Sequence, residues 1–100
     1  MHILSMTNAP PLFPLGQVAM SRGIADLLKT TADHVALAEA FSRHANGDWG
    51  DVHPDDVGAN ERSLEEGSRL MSVYTVAGQR IWIFTEADRS VTTAILPDEY

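Results

Sequence analysis

The sequence predicts an α+β domain: a short N-terminal strand, three helices, then a three-stranded antiparallel β-meander packed on the helices. Three observations lead there. Between Ser21 and Glu66, apolar residues recur at spacings of three and four, as on a helix with one buried face. From Arg69 onward the period drops to two, and β-branched and aromatic residues dominate. Helix caps and turn residues stand at the joints between these segments.

Residues 1–16 read as an extended arm, and 17–100 as a single domain. Pro10, Pro11 and Pro14 fix φ and remove donors around Leu12, Phe13 and Leu15. Leu12 and Phe13 are expected to pack on their own domain; an exposed arm would instead suit an aromatic groove. Met6 offers an alternative start to Met1. Gln17 to Met20 is a short apolar run suited to one strand. Ser21 is an N-cap for a helix through about Lys29, with Ile24, Leu27 and Leu28 on one face. Thr30 or Thr31 caps a second helix through about His44. Its expected stripe is Val35, Ala38 and Phe41, with Leu37 and Ala40 alongside. Asn46-Gly47 ends it, since both tolerate the left-handed conformation. His53-Pro54-Asp55-Asp56 opens a third helix, because proline suits the first turn and acids suit the positive end of the dipole. It runs to about Glu66 and stops at Gly67. With only Val57, Ala59 and Leu64 clearly apolar, it reads as a surface helix.

In the last third, Leu70, Ser72, Tyr74 and Val76 alternate against Arg69, Met71, Val73 and Thr75. Ala77-Gly78-Gln79 is a tight turn. Arg80 to Thr85 is a β-prone central strand, Glu86 to Arg89 a second turn, and Ser90 to Leu96 a third strand ended by Pro97. A sheet of this size needs one face covered, and the helices are the cover.

One hundred residues suffice for one modest core. There is no cysteine, which removes disulfides, thiolate metal sites and a cysteine nucleophile, and suits a reducing, cytoplasmic setting. No apolar run approaches the roughly 20 residues that span a bilayer, so no membrane partner is expected. The net charge of −7 includes only seven basic side chains, and its arginines are scattered. Direct nucleic-acid binding is therefore not expected, because phosphate neutralisation needs a basic footprint. A protein partner with a basic surface, reached by electrostatic steering, fits the charge better.

Two segments concentrate polar chemistry: 44–51 and 85–93. His44, Asp48, Asp51 and His53 include metal-ligand types, but no histidine pair has the helical spacing of a zinc site. Neither a metal nor a cofactor is expected. Gly47 and Gly50 permit a tight turn that Asp48 can close by accepting backbone N–H bonds, with Trp49 as a plug between helices and sheet. Glu86 and Arg89 suit a surface ion pair. The chemical alternative is a small metal-assisted hydrolase or nuclease-like enzyme using His44, Asp48, Glu86 and Asp88. There is no nucleophile elbow and no phosphate-cradling glycine loop.

Several of these residues stand in a recognisable order. They are Pro14-Leu15-Gly16-Gln17-Val18, Arg43-His44, Gly47-Asp48-Trp49-Gly50-Asp51, Asn60, Ser72 with Tyr74, Ile81 to Ser90, and Leu96-Pro97 with Glu99-Tyr100. In this order the chain resembles a family of small bacterial "plasmid-related" proteins of plasmids and integrative elements. Some members are labelled type I restriction endonuclease M subunit. A methyltransferase subunit would need a Gly-rich cofactor loop or an Asn/Asp-Pro-Pro-Tyr motif, and neither is in this chain. The resemblance implies a mobile-element setting. By analogy with anti-restriction and anti-CRISPR proteins, it implies binding to a host defence nucleoprotein complex.

The leading expectation is thus a non-enzymatic, acidic protein-binding accessory protein, an inhibitor of host defence that occupies a basic surface. Its partner-binding residues would be Asp48, Trp49, Asp51, Glu86, Asp88 and Arg89. A regulator acting through a protein partner is a third possibility.

Overall fold

The computed structural model describes residues 10–100. The choice between Met1 and Met6 as start falls outside them. The order is β1 (Gln17–Met20), α1 (Arg22–Leu27), α2 (Thr31–Ala45), α3 (Pro54–Glu66), β2 (Leu70–Val76), β3 (Gln79–Thr85) and β4 (Val91–Ile95), closed by a 3-10 turn over Pro97–Glu99. The fold is mixed α/β, with three helices and one four-stranded sheet: α1 packs against β4, and α2 and α3 against β2. None of the described helices is long and apolar enough to cross a membrane.

The sheet corrects the sequence expectation. It is four-stranded and mixed, in the order β1-β4-β3-β2, rather than a separate three-stranded meander. β2, β3 and β4 pair antiparallel in sequence order, as hairpins dictate. β1 then adds beside β4 and parallel to it, with Gln17 opposite Val91 and Met20 opposite Ala94. A parallel pair needs a long crossover, and here all three helices and two strands supply it.

The helices begin and end where local chemistry directs. Ser21 accepts from Ile24 N at 3.2 Å. Leu28 is already extended, so α1 stops before Lys29. Thr30 and Asp33 form a reciprocal capping box at α2. His53 caps α3 through its ring, Pro54 takes the first position, and Gly67 ends the helix at φ 74°.

The buried stripe of α2 is Leu37, Ala40, Phe41, His44 and Ala45. Leu37, Ala40 and Phe41 are buried as expected, while Val35 and Ala38 face solvent instead. The reason is His44, which is polar by type yet wholly buried, and which draws the helix face around to itself. Along the sheet, Tyr74, Val76, Ile81, Ile83 and Ala94 meet Ile24, Leu37 and Phe41 in the main core. The arm ends in a smaller cluster, where Phe13 packs with Trp49 and Leu70. Leu12, expected inside with Phe13, is 57% exposed.

The free edge of β2 is covered from within. Asn60 donates to Met71 O at 2.7 Å and accepts from Met71 N at 3.1 Å, so its amide imitates a strand. Two residues on, Val73 N donates to Trp49 O and Asp51 N donates to Val73 O. That bridge brings the Gly50 backbone against β2. A Cβ on Gly50 would lie 2.0 Å from Val73 O, and its φ is 69°. Gly78 has a similar φ of 76° but nothing within 4 Å of the added atom. Gly78→Ala is therefore expected to cost about 1 kcal/mol. Gly50→Ala should cost about 3 kcal/mol or more, because the bridge must open. Denaturant unfolding of both variants checks this; equal losses would contradict the close approach at β2.

Candidate functional site

His44 is the centre of the best-defined polar constellation. It lies on the inner face of α2, opposite hydroxyls that strand alternation turns inward: Ser72 on β2, Thr85 on β3 and Thr92 on β4. All four residues are fully buried. His44 Nδ1 meets Ser72 Oγ, and His44 Nε2 meets Thr85 Oγ1 at 2.9 Å. Thr85 Oγ1 lies 2.7 Å from Thr92 Oγ1, and Thr92 Oγ1 donates to Leu15 O at 2.7 Å.

Proton counting gives this chain a direction. The Leu15 carbonyl has no hydrogen, so Thr92 gives it its own. Thr92 then accepts from Thr85, and Thr85 has no second hydrogen for the imidazole. Nε2 must therefore carry the proton, and Nδ1 accepts from Ser72. Every polar group in the series is satisfied by one arrangement, which a buried network requires.

Aromatic rings seal the imidazole. Phe13 and Trp49 approach it edge-on, at centroid distances of 5.4 and 5.7 Å. Burial lowers the pKa of His44 from 6.5 to about 4, and the Arg89 guanidinium adds to this. Charging this ring would remove an acceptor as well as bury a cation.

The expected site residues occupy places of their own. Asp48 accepts from Arg43 Nε at 2.7 Å and Nη2 at 3.1 Å, a two-pronged pair, and from Gly50 N at 3.2 Å. The Arg43 guanidinium holds its carboxyl below the usual range, and also lies 4.8 Å over the Tyr74 ring. Tyr74 donates to Asp48 O at 2.6 Å. Trp49 is buried, and its indole N–H donates to Glu61 at 3.0 Å. Asp51 is exposed. On the other turn, Asp88 accepts from Ser90 N at 3.0 Å, and the serine holds its carboxyl low. Glu86 lies 3.5 Å from Arg69, where solvent leaves the pair little net effect.

Arg89 does not pair with the Glu86 carboxylate; it reaches backbone. At φ 61° it donates to Glu86 O, Ser63 O and Ser68 O, closing its own turn and the C-terminal end of α3. The two polar turns are joined through Phe13: Trp49 stacks on the ring at 6.4 Å, and Arg89 lies over it at 5.5 Å. What they share is an apolar ring, and not a group of carboxylates. The quartet His44, Asp48, Glu86 and Asp88 is not gathered into one centre. His44 uses both nitrogens on hydroxyls, and each acid has a different partner. Among the described residues, no three His, Asp or Glu side chains are placed to hold a metal ion.

Residues that carry this geometry but drew no functional expectation are Arg43, Asn60, Thr85 and Thr92. For Thr85 and Thr92 the signal lies in the strand alternation, since a hydroxyl at an inward position needs a buried partner; Arg43 and Asn60, on helices, carry no such signal.

With this geometry in hand, comparison gives no relative to lean on: no family model, curated protein or solved structure matches the chain.

Two consequences are measurable. Because the folded pKa of His44 lies below its unfolded value, its contribution to stability is complete above pH 6.5 and declines as pH falls toward about 4. The full loss is about 3 kcal/mol, and it begins above the carboxylate range. Unfolding free energy measured against pH should show that slope, and a His44→Gln variant should lack it. A wild-type profile flat from pH 6.5 to about 4 would contradict a neutral buried ring. Thr92→Val keeps the shape but leaves Leu15 O without this donor and the Thr85 hydroxyl hydrogen without an acceptor. The expected cost is about 1–3 kcal/mol in denaturant unfolding; no loss would mean that the hydroxyl series does not contribute.

Proposed function

We propose that this chain is a non-enzymatic acidic binding protein whose contact surface is the exposed side of α3 together with Asp51. One observation carries this: Asp51, Asp55, Asp56, Glu61, Glu65 and Glu66 are all exposed, with Arg62 the one arginine or lysine among them. Such a surface attracts a basic patch on another protein, speeds encounter and is weakened by salt. The acids of the two turns contribute less, because Asp48, Glu86 and Asp88 already have cationic or backbone partners. The hydrolase alternative draws no support from His44, which is sealed from solvent.

The resemblance to plasmid-related proteins supports a mobile-element setting in the cytoplasm. In that setting, the basic patch belongs to a host defence nucleoprotein complex, where an acidic helix would stand in for nucleic-acid charge. Inhibition would then follow from occupying that surface. A regulator working through a protein partner would use the same face.

The test neutralises charge in two places at equal number. Asp55, Asp56 and Glu65 are changed to Asn or Gln in one variant, and Asp26, Glu39 and Asp98 in the other. The tagged full-length proteins capture partners from host lysate, and recovery is compared by mass spectrometry. The α3 variant should lose a salt-sensitive partner by about tenfold or more, and the control by much less. Equal loss in both would mean that net charge, and not this face, is responsible.

A further inference from the structure

The two edges of the sheet are treated differently. Along β2, the Asn60 amide and the 49–51 backbone take up the groups that would otherwise face outward. Along β1, no described element lies beyond the strand, which is the outermost in the sheet.

The pairing of β1 with β4 shows which groups have no partner among the described residues. Gln17 N donates to Ser90 O at 2.9 Å, and Ser21 N to Ala94 O at 3.0 Å. Backbone groups alternate across a strand, so those of Gln17, Ala19 and Ser21 turn toward β4. The N–H and C=O groups of Val18 and Met20 turn outward. Their side chains are also exposed, at 51% and 45%, which is high for large apolar residues.

Natural edges are blunted by charge, proline or a bulge. β1 has none of these. No charged side chain occurs from Pro10 to Ser21 in a chain whose net charge is −7. That neutrality bears on what covers the edge. A basic partner has no charge here to recognise. A second copy, repelled over most of the acidic surface, meets no like charge at this edge.

We infer that two copies of this chain associate through β1, antiparallel about a two-fold axis at Ala19. In this register, Val18 of each copy faces Met20 of the other as a hydrogen-bonded pair, and the two Ala19 residues face each other between those pairs. Four backbone hydrogen bonds form, and the exposed Val18 and Met20 side chains cover one another. The pattern is self-complementary, as a two-fold contact requires. It joins two four-stranded sheets into one of eight strands. Because β1 has only four residues, the contact is small and the association is weak and concentration-dependent.

The register supplies its own test. Facing residues in a non-hydrogen-bonded antiparallel pair have Cα atoms about 4.5 Å apart, within the range a disulfide bridges. The chain has no cysteine, so a single introduced thiol reports alone. Ala19→Cys should oxidise to a linked dimer much faster than Thr75→Cys, an exposed control on β2. Sedimentation equilibrium of the full chain should show a mass rising from 10.9 kDa toward twice that value with concentration. Val18→Lys with Met20→Lys should hold the mass at 10.9 kDa and leave the circular dichroism spectrum unchanged.

Three results would overturn the inference. One is a single mass of 10.9 kDa at every concentration, with Ala19→Cys no faster than the control. Another is a dimer that survives the two lysines. The third is slow amide exchange at Val18 and Met20 in dilute monomer, which would mean that the edge is covered within its own chain.

Discussion

A single hydrogen-bonded series connects five parts of this molecule: β2 through Ser72, α2 through His44, β3 through Thr85, β4 through Thr92, and the arm through Leu15. Apolar burial supplies most of the drive to fold, but it is non-directional and would tolerate several ways of laying α2 across the sheet. The hydroxyls do not. They fix where His44 sits along β2 and β3, and so set the rotation of α2. The Leu15 carbonyl at the end of the series also places the arm beside β4, one residue pair before β1 joins the sheet. A buried network of this kind is costly if any member is unsatisfied, and this favours one arrangement over its competitors.

The same constraint separates chemistry from charge. A histidine near aspartates and glutamates in sequence invites a catalytic account. In the folded chain, the imidazole is inside the protein and the carboxylates are outside it. Asp48 holds the turn after α2 by pairing with Arg43, while the Asp48 carbonyl receives the Tyr74 hydroxyl. Trp49 then seals the ring from solvent, with its indole anchored on Glu61 of α3. Arg89 closes the opposite side over Phe13. Under the proposed binding function, a partner would meet the acids of α3, a helix tied to β2 through Asn60. Surface charge of that sort guides association more than it stabilises the fold.

Much of the fold is legible in the sequence. Ser21, Thr30, His53-Pro54 and Gly67 mark helix ends by chemistry that acts within a few residues. The alternation from Leu70 to Val76 and the turns at Ala77-Gly78 and Glu86–Arg89 define the antiparallel part of the sheet. The place of β1 is not legible, because its partner β4 lies some seventy residues away and four apolar residues have no preferred neighbour. The stripe of α2 is legible in part: Leu37, Ala40 and Phe41 are buried as expected, but periodicity counts apolar residues and misses the deepest position, which belongs to His44. The candidate site is partly legible. Both polar turns are genuine turns, and both touch Phe13. Which acids are already paired depends on Arg43 and Arg69, whose reach no spacing rule encodes.

The direct test of this account is the protonation state of one ring. Long-range 1H–15N correlation of the full chain at neutral pH distinguishes the two neutral tautomers of His44 from the imidazolium. The hydroxyl series requires a neutral ring with hydrogen on Nε2 and a bare Nδ1. A neutral ring with its hydrogen on Nδ1 would reverse the series and contradict the role given to Leu15, Thr92 and Thr85, and a charged ring at neutral pH would contradict the acceptor role of Nδ1 toward Ser72.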